Sequence, residues 1–545
     1  MKSWFVSSLL FWVLGGSASA AELSRGFECI QATDLACARS VVDEHRKAGD
    51  KAPELDLLEA RVLFREGQFE AASRSLKAAA SKADKLDLDL IGKPLLDGVA
   101  EVDPRKARAS REVLKEALNE EVAFYITSAE ISATMVESRV GDITVVHDPG
   151  IERILVEETA EILTLARKRI VPMLGKDMPF GLRVEMYPDA DSFARASGMP
   201  MEAIRTTGVV AISKWNRLLV TSPRVRPDGY GWKDTVVHEW VHEVVAYNTD
   251  DHAPIWLQEG IAKSMDSLWR ADTYEIPVQY QSLLNGALQS GQFITFEQMH
   301  PSVAYLPTAD MAALAYAQVS TMMDLLRRTR GEDALIRVLA MVKAGKDARD
   351  AVAEVANGGD FDKFEAEWKN YLAGLKLVGV KIASTPANVE GGTAMEGDPI
   401  LARRKDLQNL ARLGELMAAR GHHDTALAYY QEAMPEDGPP GPYLVVRQAE
   451  SLAALGRPDD AIAALEANLV FYPEVSANQK LLGELYLARG EDARALRAYA
   501  AAADVDPFDV EVQQRLAELY AAAKQPQQAA KHQRYVDVLF YREQG

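Results

Sequence analysis

Two histidines four residues apart bracket a glutamate in the stretch His238-Glu-Trp-Val-His242, and a second glutamate, Glu259, follows seventeen residues on within Trp-Leu-Gln-Glu-Gly-Ile-Ala. On a helix, positions i and i+4 share one face, so both imidazoles can reach one ion. Two imidazoles and a carboxylate make a three-ligand zinc site whose fourth position stays open to water. Glu239 stands one residue past the first histidine, at the side of that face, where it can take a proton from the water. The spacing predicts hydrolysis of a carbonyl compound assisted by one Zn2+ ion, with His238, His242 and Glu259 as ligands and Glu239 as general base.

These side chains need two helices and a sheet to hold them. Val236, Val237, Val241, Val244 and Val245 surround the histidines and predict a helix buried on one side. Pro254 suits the start of a second helix carrying Glu259, and Gly260 beside the ligand permits close approach of another helix. Glu243 is expected either just behind the ligands or facing solvent, and His252 on a surface loop. Upstream, Ala133 to Glu137 and Ile143 to His147 read as a β-hairpin, with further strands at Leu182 to Tyr187, Val209 to Ser213 and Arg217 to Thr221. A long amphipathic helix is expected from Ile151 to Leu174, and a Gly/Pro-rich loop from Pro223 to Gly231 leads into the histidine helix. The strand pair at 209–221 offers an edge for an extended peptide, although an ordinary sheet role suits it as well. Helices are expected at Met311 to Arg330, Glu332 to Ala344 and Phe361 to Leu375.

The chain of 545 residues is long enough for three or four domains. Its 48% hydrophobic and 26% charged residues are those of globular proteins, and a net charge of -19 argues against a nucleic-acid partner. Lys2, the short apolar run at residues 4–14 and Ala18-Ser-Ala20 form an export signal over residues 1–20, too short to span a bilayer comfortably. The expected product is an exported periplasmic or extracellular protein with no stable membrane span. Cys29 and Cys37 are the two cysteines. They suit either a disulfide in an oxidising compartment or two small buried apolar side chains.

The C-terminal third repeats. Gly421, Gly456 and Gly490 are spaced by 35 and 34 residues, each followed five residues later by alanine, with Pro435, Pro473 and Pro507 closing the units. A fourth unit runs through Leu516, Tyr520, Lys524 and Ala529. The pattern resembles the tetratricopeptide repeat (TPR), whose stacked helical hairpins share a core and leave a concave surface for a protein partner. A shorter echo spans residues 58–72, and residues 86–130 look helical with a break at Pro104. The expected domains are an N-terminal helical TPR-like region at 21–130, a catalytic domain at 131–376, a linker at 377–403 and a TPR domain at 404–545.

The motifs His-Glu-Trp-Val-His and Pro-Ile-Trp-Leu-Gln-Glu-Gly-Ile-Ala, with residues 207–223 and 229–235 before them, resemble the gluzincin clan of zinc peptidases. In particular they resemble bacterial peptidase-MA-like domains that carry TPR repeats. The resemblance implies an α+β zincin-like catalytic domain, a mixed sheet plus active-site helices and a helical C-terminal subdomain, flanked by all-α TPR-like repeats. It implies the same ligands and base, and a tyrosine that hydrogen-bonds the developing oxyanion. Tyr316 is the first candidate and Tyr305 the second; packing in the helical subdomain would suit either equally. Two departures qualify the resemblance. The stretch Gly208 to Ser213 lacks the Gly-x-Met-Glu-Asn motif of the aminopeptidase branch, so aminopeptidase activity is not expected. Lys263 stands where thermolysin-like relatives place an aspartate that supports a histidine. The leading expectation is an exported zinc metallopeptidase acting on peptides or proteins. The alternative is a TPR scaffold of the cell envelope with an inactive or structural zincin domain. Metal chemistry alone does not fix the bond that is cleaved.

Overall fold

A computed structural model describes residues 22–87 and 111–543, apart from 180, 227–228, 301–302, 304–305, 381 and 383–392. The expected export signal and the break at Pro104 lie outside the described residues. Among the described residues, no helix is long and apolar enough to cross a membrane.

The central domain is built on a five-stranded mixed sheet of order β1-β2-β3-β5-β4, formed by Val136–Val140, Ile143–His147, Leu182–Tyr187, Ala211–Lys214 (β4) and Arg217–Thr221 (β5). β2, β3 and β5 run parallel; β1 and β4 are antiparallel edges. The first strand begins three residues later than expected, because the helix Arg111–Ser132 continues into turns before Val136. β4 likewise starts at Ala211 rather than Val209. Trp215 and Asn216, both at positive φ, form the two-residue turn between β4 and β5, a backbone shape whose twist matches that of a hairpin.

β3 and β5 are buried along their whole length. One face, with Val184, Met186, Leu218 and Val220, packs on the helices Ile154–Leu174 and Trp232–Thr249. The other face carries Arg183, Glu185 and Arg217, and the N-terminal hairpin Pro53–Arg65/Phe69–Ala80 covers it. The Arg217 guanidinium lies 4.5 Å from the Phe64 ring centre and 4.8 Å from that of Phe69. The same region grips the β4–β5 turn: Arg65 donates to Asn216 Oδ1 at 2.9 Å, and Asn216 Nδ2 donates to the Thr33 carbonyl at 2.9 Å. Thr33 belongs to a turn bracketed by a disulfide between Cys29 and Cys37.

Below the sheet, Ala309–Arg330, Ala334–Lys343 and Phe361–Gly374 match expected helices within a few residues. Val278–Ser290 and Ala348–Asn357 were not expected. Val278–Ser290 shows no strong apolar stripe in sequence, and the stripe of Ala348–Asn357 is short and made mostly of alanine.

Eight helices form four hairpins from Lys405 to Glu543. Gly421, Gly456 and Gly490 turn the chain at positive φ, and Lys524 takes the equivalent conformation in the fourth hairpin. The expected linker is shorter at its C-terminal end: Ala394–Gly397 is a helix with a capping box between Thr393 and Glu396, and Met395 and Leu401 pack with Leu407 and Tyr430 of the first hairpin.

The final helix, Pro526–Glu543, docks on Ile154–Leu174 through a buried charge cluster. Glu158 accepts from Lys233 and Lys531, both at 2.6 Å, and from the Tyr535 hydroxyl at 3.1 Å. Burial alone would raise Glu158, but the two ammonium groups outweigh it and hold its carboxyl down to about 2, against 4.5 for a free glutamate. A carboxyl depressed in the folded state stabilises it above the unfolded pKa, and that contribution fades as pH falls toward the folded value. Acid titration of melting temperature should therefore show stability on the order of 3 kcal/mol from this residue disappearing between about pH 4.5 and pH 2. A Glu158→Gln variant should start lower and lose correspondingly less across that window.

Candidate metal centre and active site

The histidine helix, Trp232–Thr249, is buried on nearly every side rather than on one. Val236, Val237, Trp240, Val241, Val244 and Val245 are fully enclosed, and the polar Glu239 and Glu243 are buried too. A helix this enclosed holds its side chains in fixed rotamers, as a metal site requires. Pro254 is the cap of the next helix, Ile255–Met265, whose backbone delivers Glu259. A Cβ on Gly260 would lie 2.9 Å from the Val319 carbonyl oxygen and 3.0 Å from Met323 Cγ. Only a glycine lets this helix and Ala309–Arg330 approach so closely.

Three ligand atoms converge. His238 Nε2 is 3.1 Å from Glu259 Oε2, His242 Nε2 is 3.1 Å from His238 Nε2, and His242 Nε2 is 3.4 Å from Glu259 Oε2. Bonds of roughly 2.0–2.1 Å at tetrahedral angles put zinc ligands about 3.3 Å apart, so the triangle fits that ion. Among the described residues it is the cluster of three such side chains able to share a metal. Each of the three keeps 14–15% of its side chain exposed, leaving one side of the triangle accessible. The charges also favour a cation. Burial would raise Glu259, yet the facing imidazoles hold it well below the usual carboxylate range. Burial would lower His242, yet Glu259 lifts it to about 9, while burial takes His238 down to about 4.

Glu239 is 8% exposed and accepts a hydrogen bond from the Ser213 backbone N–H on edge strand β4. Burial, with Glu259 and Glu243 nearby, pushes its carboxyl up to about 7. Glu243 is not solvent-facing: it is 5% exposed and accepts from Ser213 Oγ at 2.7 Å. Ser213 thus ties β4 to both carboxylates, a link that spacing in the sequence did not reveal.

Tyr316 lies on Ala309–Arg330, and its phenol donates a hydrogen bond to Glu259. Burial and the charges of Glu259 and Glu239 push it well above its ordinary value. Tyr305 lies outside the described residues. Tyr280, on Val278–Ser290, was missed; it lies within electrostatic reach of both Glu259 and Lys263, and nothing in its local sequence marks it. Lys263 pairs with the buried Asp266 at 2.6 Å. His252 is exposed, as a loop histidine should be.

Residues 183–374 match the family model described as Peptidase MA superfamily. Over these residues the central domain is similar to that superfamily. The match takes in three of the five strands, β3 to β5, with the histidine helix, the Glu259 helix and the helices behind them. No curated protein matches the chain significantly. Among solved structures, native leukotriene A4 hydrolase from Saccharomyces cerevisiae is 12% identical, with 74% of this chain and 67% of that one covered and a TM-score of 0.28. MamA from Desulfovibrio magneticus RS-1 is 20% identical over 28% of this chain and 84% of its own, with a TM-score of 0.23. The Cut9–Hcn1 hetero-tetramer of APC/C is 14% identical over 94% of each chain, with a TM-score of 0.22. The central domain is an α+β unit set between helical regions, and its two histidines and Glu259 form a triangle that could hold a metal ion.

Proposed function

We propose that this protein is an exported zinc-dependent peptidase. The observation that carries the reading is the triangle of His238 Nε2, His242 Nε2 and Glu259 Oε2, with sides of 3.1 to 3.4 Å. His238, His242 and Glu259 would hold zinc, which would supply Lewis acidity toward a water and a carbonyl. Glu239 accepts the proton of the attacking water and returns it to the leaving amine; its carboxyl, pushed up to about 7 by burial, suits a group that must both take and give a proton near neutrality. Tyr316 donates to the carbonyl oxygen as negative charge builds on it. Ser213 fixes Glu239 and Glu243 against β4, so that an extended peptide alongside this edge would meet the base at a set distance.

Export is supported by the apolar N-terminal stretch and by the Cys29–Cys37 disulfide, a bond that persists in oxidising compartments. The four C-terminal hairpins suit a protein or peptide partner in the concave surface that such stacks leave.

Metal analysis tests the centre directly. Wild-type protein should purify with, or take up, one zinc per chain. His242→Ala should lose that stoichiometry and all cleavage of a broad peptide mixture. A His242→Ala protein that retains one tightly held zinc would refute the assignment.

A further inference from the structure

The central domain and the C-terminal hairpins border a half-open cavity of about 410 Å³. Its catalytic-side wall includes Tyr230, Lys263 and Tyr280; its repeat-side wall includes Tyr443, Arg447 and Tyr472. The triangle's own residues do not line the cavity, but Lys263 of the Glu259 helix does. Lys263 lies one helical turn, about 5.4 Å along the axis, beyond Glu259. A peptide whose scissile bond sits at the triangle would extend into this space.

Charge accounting within the cavity leaves one cation over. Lys263 is paired with Asp266 and Arg447 with Glu450. Asp398 is occupied by the backbone N–H groups of Ile400, Leu401 and Tyr443. Glu474 is exposed to solvent and acts on Arg226 through space, without an ion pair between them. Arg226 differs. Among the described residues it makes no ion pair or side-chain hydrogen bond; its guanidinium lies 5.7 Å from the centre of the Tyr230 ring. Its Nε is sealed from solvent without an acceptor, and so is the Tyr472 hydroxyl on the opposite wall. Buried donors without acceptors are costly and rare in folded proteins. Both residues line this one cavity, and a ligand there that accepts hydrogen bonds would offer these donors a partner. A guanidinium fork matches a carboxylate in shape and charge.

We propose that this cavity is a substrate subsite that binds a peptide carboxylate, with Arg226 as its anchor. The inference rests on the peptidase reading and adds a substrate class to it: peptides bearing either a free C-terminus or an acidic side chain a few residues from the scissile bond. Arg226 acts in binding, away from the reacting atoms. The surrounding tyrosines supply apolar walls that exclude water from the ion pair.

Binding, not turnover, provides the test. Full-length Glu239→Gln protein is titrated with fluorescein-labelled nonapeptides of alanine and serine, followed by anisotropy. One pair compares a C-terminal acid with its amide. A second pair, both amidated, compares a single internal glutamate with glutamine. The expected result is tighter binding of the acid member of at least one pair by about tenfold to a hundredfold, and the responding pair identifies the source of the carboxylate. Arg226→Met, added to the same protein, should erase the preference without changing zinc content or melting temperature. Arg226→Gln, which keeps a polar side chain at this half-buried position, should do the same if the methionine variant does not fold. Equal affinities within both pairs, or a preference that survives loss of Arg226, would overturn the subsite. Cleavage of peptides by the wild-type protein alongside equal affinities would leave the peptidase reading standing; no binding of any peptide together with no cleavage would remove both.

Discussion

Replacing Glu239 by glutamine should lower peptide hydrolysis by about 100- to 10,000-fold, the range that a positioned general base contributes, while zinc stays bound at one per chain. The amide is nearly isosteric with the carboxylate and can still hydrogen-bond with the Ser213 backbone, so the helix and the ligand triangle should be undisturbed. It cannot accept a proton from water. Turnover, zinc content and thermal melting measured on one preparation separate the loss of a base from the loss of a fold. Persisting hydrolysis in a zinc-loaded Glu239→Gln protein would refute the mechanism. Loss of zinc in the same variant would instead place Glu239 among the groups that hold the metal.

Arg217→Met should destabilise the protein by about 3–5 kcal/mol, the cost of removing one partner from a buried ion pair. Arg217 is 1% exposed and Glu185 2% exposed, and the guanidinium donates to both carboxylate oxygens at 3.0 and 3.2 Å. Arg183 and the Tyr187 hydroxyl donate to the same carboxylate at 2.6 Å each. Burial would raise Glu185, but the two guanidinium groups hold it down to about 2. Without Arg217 that charge keeps Arg183 but loses its partner across the sheet, and the Phe64 and Phe69 rings lose the cation packed on them. The deficit should appear in denaturant unfolding. Glu185→Leu combined with Arg217→Met should recover part of it, because a matched apolar pair leaves no buried charge unpaired. A single variant as stable as wild type would show that the N-terminal hairpins do not seal this face.

Different physical scales separate what could be read along the chain from what could not. The histidine pair was legible because a helix places residues four apart on one face whatever surrounds it, and Glu259 because it sits in a short motif of its own. The four C-terminal hairpins were legible for a similar reason: their glycines recur at a period set by local geometry. Ambiguities began where burial was two-sided. Leu182–Tyr187 looks like a half-buried alternating strand, yet Arg183 and Glu185 are enclosed because a distant hairpin, Pro53–Arg65/Phe69–Ala80, lies over them. Glu243 was left open between the ligand surroundings and solvent, since no local pattern tells which way a carboxylate beside a ligand will face. Val278–Ser290 gave too weak a stripe to be noticed, and Tyr280 went with it.

Local periodicity along the chain was enough to establish the helical repeats, the histidine helix and the identity of three candidate ligands, because each depends on residues within a few turns of one another. That the three candidate ligand atoms meet within 3.4 Å, that Ser213 reaches two carboxylates from the sheet edge, and that Arg226 and Tyr472 line one cavity were decided only by tertiary packing. Those contacts join segments tens to hundreds of residues apart, and their free energy comes from burying surfaces whose partners no local pattern specifies.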